Sequence, residues 1–237
     1  MLELGIIQHK VIETYLSRFD SFVEQSYREI IWDCIQKYKK DGLNLEPVEV
    51  EVRAYTYTII KHLLQLKHDK NLLFEFEKSF RVEKDLLKEG SIDCWAESTD
   101  YQMILDFKRS GSAFKSFDSI LSFEKNQLWF YLQRLAEMGV LNCHKKIVFG
   151  YIDLSDTQNS MVFSGDKDIL SYFKTQMGFK RVKELPDFET HLAEYLKFES
   201  DEIERLKKDS SFPPRPFNKS VCDFCFLNQV CERESLV

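Results

Sequence analysis

The sequence predicts an α/β fold, and three observations carry that prediction. Residues 7–38 repeat apolar side chains at helical spacing, among them Phe19, Val23, Tyr27, Ile30, Ile31 and Cys34. Residues 72–109 then alternate as three successive strands, LLFEFEKSFRVE, GSIDCWAE and YQMILDFKR. Behind them an amphipathic helical stretch leads into a further strand, KKIVFGYIDL.

Each remaining segment has its own reason. Residues 37–45 form a charged break. Residues 48–66 are ambiguous, because VEVEVRAYTYT alternates like a strand while Val48, Val52, Tyr55, Ile59 and His62 share a helical face. IIKHLLQL is not strand-like, so helix is expected for the second half at least. Residues 118–138 read as one amphipathic helix ended by Gly139. NSMVFSG follows as a strand and residues 186–208 as a long charged helix. FPPRPF then breaks regular structure ahead of a cysteine-bearing tail. The chain is expected to be one domain over 1–237, with a helical N-terminal segment at 1–45 and a tail at 209–237.

Composition sets bounds on function. Hydrophobic residues make up 43% and charged residues 30% of 237 residues, as in a globular domain with room for a real core. Gly is scarce at eight and Phe abundant at twenty, which favours helix-rich packing. The net charge of -6 excludes a global basic footprint, so any nucleic-acid contact must be a local patch. No apolar run approaches the roughly 20 residues of a membrane span, and MLELGIIQHK lacks a signal pattern. A cytoplasmic protein with no membrane partner is expected. Disulfides are rare in that compartment, which leaves the six cysteines as core thiols or metal ligands.

The central hairpin carries the chemistry. GSIDCWAESTDYQMILDFKRS is two strands joined by a polar turn at Ser98, Thr99 and Asp100. Asp106 and Lys108, two apart, project from one face. If the turn centres between Thr99 and Asp100, antiparallel pairing sets Asp93 opposite Asp106, with Cβ atoms about 5 Å apart. Carboxylates that close repel unless a divalent cation lies between them, and oxygen donors suit Mg or Mn. A lysine beside them can orient an attacking water or meet charge growing on a phosphate. The apolar run Met103, Ile104, Leu105 marks a central strand, where charges at its end are costly unless used. D-x-K alone is also a common solvated strand end.

Further candidates follow. Gln127 and Tyr131 stand at i and i+4 on one helix face, able to reach a phosphate together or to serve as a core-edge pair. Glu77 is an added acid or part of an alternating strand face, with Glu75 its rival. Lys108, Arg109 and Lys115, and Arg215 with Lys219, would supply a local basic track or simply a solvated surface. Cys94 must face away from Asp93 and reads as a core thiol, and Cys143 has no partner at ligand spacing. Cys222, Cys225 and Cys231 form C-x2-C-x5-C, and Cys34 is the upstream candidate for a fourth ligand.

Asp93 in GSID, Asp106 and Lys108 in LDFKR, and Gln127 with Tyr131 in QLWFY resemble the motifs of the PD-(D/E)XK nuclease superfamily, RecB-like branch. One upstream cysteine plus a C-x2-C-x5-C tail resembles its iron–sulfur members, the AddB-type nuclease domain and the CRISPR-associated adaptation exonucleases. CIQKY around Cys34 departs from their C-P-R-K-Y pattern in having Ile35 for proline. The resemblance spans residues 34–231. It implies a restriction-endonuclease-like core, with a central mixed β-sheet flanked by helices and the two chain ends joined by a cluster. It implies a deoxyribonuclease dependent on Mg or Mn and acting on single-stranded DNA ends. Asp93, Asp106 and His62 would be its metal ligands, and Lys108, Gln127 and Tyr131 would complete the site. His68, beside Asp69, is a competitor to His62. Cys34, Cys222, Cys225 and Cys231 would hold a [4Fe-4S] cluster, with zinc as the rival. A helicase or a CRISPR adaptation complex would be the protein partner. The second reading is a non-catalytic iron–sulfur or zinc module of the same fold that binds DNA or docks a partner.

Overall fold

A computed structural model describes residues 2–38, 45–83, 87–109, 116–123, 126–142 and 144–208. The first helical stretch is two helices, α1 (Leu2–Arg18) and α2 (Glu24–Tyr38). Buried Ile7, Val11, Ile12, Tyr15 and Leu16 form the stripe of α1, and Tyr27, Ile30, Ile31, Cys34 and Ile35 that of α2. The break between them is fixed by Tyr15, whose hydroxyl accepts from the Val23 N–H at 2.6 Å and donates to the Ser21 carbonyl at 3.1 Å.

The ambiguous segment is helical from end to end, as α3 (Leu45–Asp69). Its alternating β-branched residues lose to burial at helical spacing, because Val52, Thr56, Ile59, Ile60 and Leu63 all face inward. Pro47 sits in the first turn, where a missing N–H costs nothing. Tyr27 ties α2 to α3 by a 2.8 Å bond to the Thr56 hydroxyl, which itself returns to the Val52 carbonyl.

The sheet has six strands in the order of the chain: β1 (Leu73–Glu83), β2 (Leu87–Glu97), β3 (Tyr101–Lys108), β4 (Lys146–Asp153), β5 (Met161–Ser164) and β6 (Arg181–Glu184). The first three form an antiparallel meander, β4 runs parallel to β3, β5 antiparallel to β4, and β6 parallel to β5. The sheet is therefore mixed and flanked by helices, as expected. The stretch 118–138 divides into α4 (Phe117–Leu121) and α5 (Gln127–Glu137). Phe123, at φ 63°, takes the left-handed region between them, and its ring packs edge-on to Trp129. α6 (Lys167–Thr175) and β6 were not anticipated. Asp166 caps α6 by accepting from the Ile169 N–H at 2.8 Å.

The chain divides into two compact units, Met1–Ala193 and Glu194–Val237. The helix α7 is assigned to Phe188–Lys208. In the first unit, alternation along β3 sends Met103, Leu105 and Phe107 into the apolar cluster of α1, α2, α3 and α6, and Gln102, Ile104 and Asp106 toward the opposite face. That opposite face is covered by α5, where Trp129 packs on Phe149 at 5.2 Å and Tyr131 on Phe80 at 5.9 Å. Among the described residues no helix is long and apolar enough to cross a membrane.

Candidate active site

The hairpin register is the one that the polar turn implies. Cys94 pairs with Leu105, Trp95 with Ile104, Ala96 with Met103 and Glu97 with Gln102. One step further, Asp93 falls opposite Asp106. There the ladder gives way to a side-chain bond, and Asp93 Oδ2 accepts from the Phe107 N–H at 2.8 Å. Ser98 closes the turn, its hydroxyl accepting from the Tyr101 N–H at 3.2 Å. Cys94 points the other way and is fully buried.

Asp106 is costly to bury. It is 1% exposed, and neither carboxylate oxygen has a well-directed hydrogen bond. Lys108 Nζ stands 2.5 Å from Oδ2 as an ion pair. Burial first, and then the charge of Asp93, push the Asp106 pKa up to about 7, against the opposing pull of Lys108 and Tyr131. Gln102, four residues back on the same strand face, is equally buried. Its amide donates to Glu97 and to the Val140 carbonyl and accepts from the Asn142 N–H. A buried polar group kept for structure is satisfied in this way, whereas Asp106 is left with acceptor capacity to spare.

α5 delivers the next pair. Gln127 Nε2 donates to the Tyr131 hydroxyl at 2.7 Å, so the i, i+4 spacing does place both on one face. Tyr131 is buried, and that burial together with the charges of Asp106, Asp93 and Glu77 raises its pKa. Glu77 faces the same neighbourhood. It takes φ 51°, accepts from the Ser91 hydroxyl at 2.9 Å and lies 3.7 Å from Lys10 Nζ. Glu75 instead pairs with Lys78.

A histidine from α1 stands beside the carboxylates. His9 of α1 brings Nδ1 to 3.7 Å from Asp93 Oδ2, with its ring edge-on to Phe107 at 5.6 Å. No described contact joins His62 to the pair. Its Nδ1 is buried without a hydrogen-bond partner, and its pKa is lowered by burial and by Lys61. His68 is exposed and near only its neighbour Asp69, at 3.5 Å. The sequence carried no specific signal for His9, because Gln8-His9-Lys10 is an ordinary polar stretch of an amphipathic helix that also holds Glu13, Thr14, Ser17 and Arg18.

Among the described residues no three His, Cys, Asp or Glu side chains gather as a metal site. A two-carboxylate site still fits Mg or Mn, which bind through one or two carboxylates plus water and substrate oxygen, and Asp93 and Asp106 supply the oxygen donors. Cys34 is buried in the helical core, where burial raises its pKa and Thr14 opposes the shift. Cys222, Cys225 and Cys231, as well as Cys143, Lys115, Arg215 and Lys219, lie outside the described residues. Arg109 meets Glu51 of α3 at 2.7 Å.

No family model matches the chain, and no curated protein matches it in sequence. A solved structure titled "Crystal structure of SSO0001" aligns with 96% of this chain and 94% of its own, at 16% identity and a TM-score of 0.32. A likeness that distant carries no argument about function.

Proposed function

We propose that the chain is a Mg- or Mn-dependent deoxyribonuclease that hydrolyses phosphodiester bonds, with single-stranded DNA ends as the substrate. One observation carries the reading: Asp106 is buried where the charge of Asp93 acts on it, with the Lys108 ammonium 2.5 Å from its Oδ2. A core gains little from such a group, whereas metal-assisted phosphodiester hydrolysis uses carboxylates and a cation gathered at one point. Asp93 and Asp106 would hold the divalent ion, with His9 at the outer side of Asp93 in the part that the resemblance gives to His62. The ion, when bound, supplies Lewis-acid charge to the scissile phosphate. Lys108 orients the attacking water or meets the charge that develops on the phosphate, and Gln127 and Tyr131 position the substrate. The preference for single-stranded ends, and a helicase or CRISPR adaptation partner, rest on the resemblance alone.

The same reading includes a [4Fe-4S] cluster held by Cys34, Cys222, Cys225 and Cys231, joining the N-terminal helices to the tail, with zinc as the rival metal. It is supported by the cysteine spacing and by the resemblance to the iron–sulfur members of the superfamily. Anaerobic purification with metal analysis and a visible spectrum tests it, and a colourless protein containing zinc would overturn it.

The nuclease itself is tested by incubating labelled single-stranded DNA with Mn and comparing the parent with Asp106→Ala and Lys108→Ala. Each variant is expected to lose about 10² to 10³ in rate or more, the range for removing one preorganised electrostatic group. A parent protein that cleaves nothing under reducing, anaerobic conditions ends this reading and leaves the DNA-binding or docking module.

A further inference from the structure

Tyr151 was no part of any motif, yet it meets three elements of the site at once. It lies on β4 directly across from Asp106 in the parallel ladder. Its ring stands under the Lys108 ammonium, 5.6 Å from Nζ to the centroid. Its hydroxyl lies within hydrogen-bonding reach of the Leu128 backbone at the start of α5. That last contact has a specific cause. The first N–H groups of a helix lack partners within it, and Asn126, the residue at the cap, offers no side-chain bond. The strand thus does what the cap residue does not.

From this geometry, and building on the nuclease reading above, we infer that Tyr151 is a positioning residue, fixing the Lys108 ammonium with its ring and the start of α5 with its hydroxyl. The two halves of the side chain have separable tasks. A cation over an aromatic face is held by the ring quadrupole, so the ring limits where the ammonium can stand relative to Asp106. The hydroxyl sets the height of α5, and with it Gln127 and Tyr131, above the same carboxylate. Both tasks concern the arrangement of groups that act at the reacting centre, so their loss should appear in turnover more than in substrate affinity.

The test compares Tyr151→Phe, which keeps the ring, with Tyr151→Leu, which keeps neither. On a single-stranded oligonucleotide with Mn, kcat should fall about threefold in the first and about tenfold or more in the second, with KM within about twofold of the parent. An independent readout needs no catalysis. The Lys108 side-chain methylene resonance, assigned through Lys108→Arg, should be shifted upfield by the ring in the parent and in Tyr151→Phe and lie at the ordinary lysine position in Tyr151→Leu. An unchanged kcat in both variants, a loss carried by KM, or a Lys108 resonance indifferent to Tyr151→Leu would each overturn the inference. Should Tyr151→Leu fail to melt cooperatively, Tyr151→Phe decides alone, and parental kcat in it is the overturning result. A parent that cleaves nothing removes the nuclease reading, while the Lys108 resonance still decides whether Tyr151 holds the ammonium.

Discussion

The two faces of the central sheet are buried to a similar degree and filled in opposite ways. Under α1, α2, α3 and α6 the strands present Cys94, Ala96, Met103, Leu105, Phe107, Val148 and Ile152, all apolar. Under α5 the same strands present Ile104 and Phe149 but also Gln102, Asp106 and Tyr151. Leu105 and Asp106 are sequence neighbours at 0% and 1% exposure, so depth alone cannot account for the difference. One face is built to be dry. The other excludes water from a charge that the fold does not need.

That contrast can be broken most directly at the neighbouring pair. Leu105→Ala should lower unfolding stability by about 2–5 kcal/mol, the range for emptying a core leucine site. Asp106→Asn should leave stability level or raise it by about 1 kcal/mol while abolishing cleavage, because a buried ionisable group is removed. Denaturant unfolding of both variants checks the pair, and a large loss in Asp106→Asn would erase the distinction between the faces.

The pH dependence sharpens it. Asp106 has a folded pKa near 7 against an ordinary 3.8, so between those values the folded chain holds a proton that the unfolded chain has released. Stability without divalent ion should therefore be highest below about pH 4 as far as this group is concerned, and fall as pH rises toward 7. Melting in chelator across that window should show the slope, and Asp106→Asn should flatten it.

The next effect separates two histidines. His9→Ala should weaken Mn binding about tenfold or more, the usual scale for losing a group that ligates the ion or orients a ligand, while His62→Ala should leave it within about twofold. Calorimetric titration of Mn distinguishes them, and equal losses would contradict the placement of His9. The smallest effect belongs to the half-exposed pair of Arg109 and Glu51. Glu51→Gln should change stability by less than about 1 kcal/mol.

Much of this site could be read along the chain, for a physical reason. A hairpin is local, so the turn at Ser98–Asp100 fixes the register, and the register places Asp93 across from Asp106. An i, i+4 pair on one helix is equally local, which made Gln127 and Tyr131 legible. His9 was not legible, since it reaches Asp93 across more than eighty residues and only tertiary packing brings α1 to β2. Tyr151 was hidden likewise, because a parallel partner strand is set by a long crossover and not by a turn. In α3 the alternation of VEVEV pointed to a strand until burial of Val52, Thr56 and Ile59 decided for helix. The break at Phe123 followed from a left-handed residue that no Gly or Pro announced.

The bond from Leu128 to Tyr151 has a consequence for how the molecule breathes. Helix ends ordinarily fray, and their first amides exchange with solvent deuterium on the timescale of local opening. Here the amide of Leu128 is met by the Tyr151 hydroxyl of β4, so its opening is coupled to the contact of α5 with the sheet. Its exchange should keep pace with the amides of β4 and lag behind those at the start of α6, whose cap is a side chain of its own connecting loop. The front of α5 would then open with the sheet, as one cooperative unit.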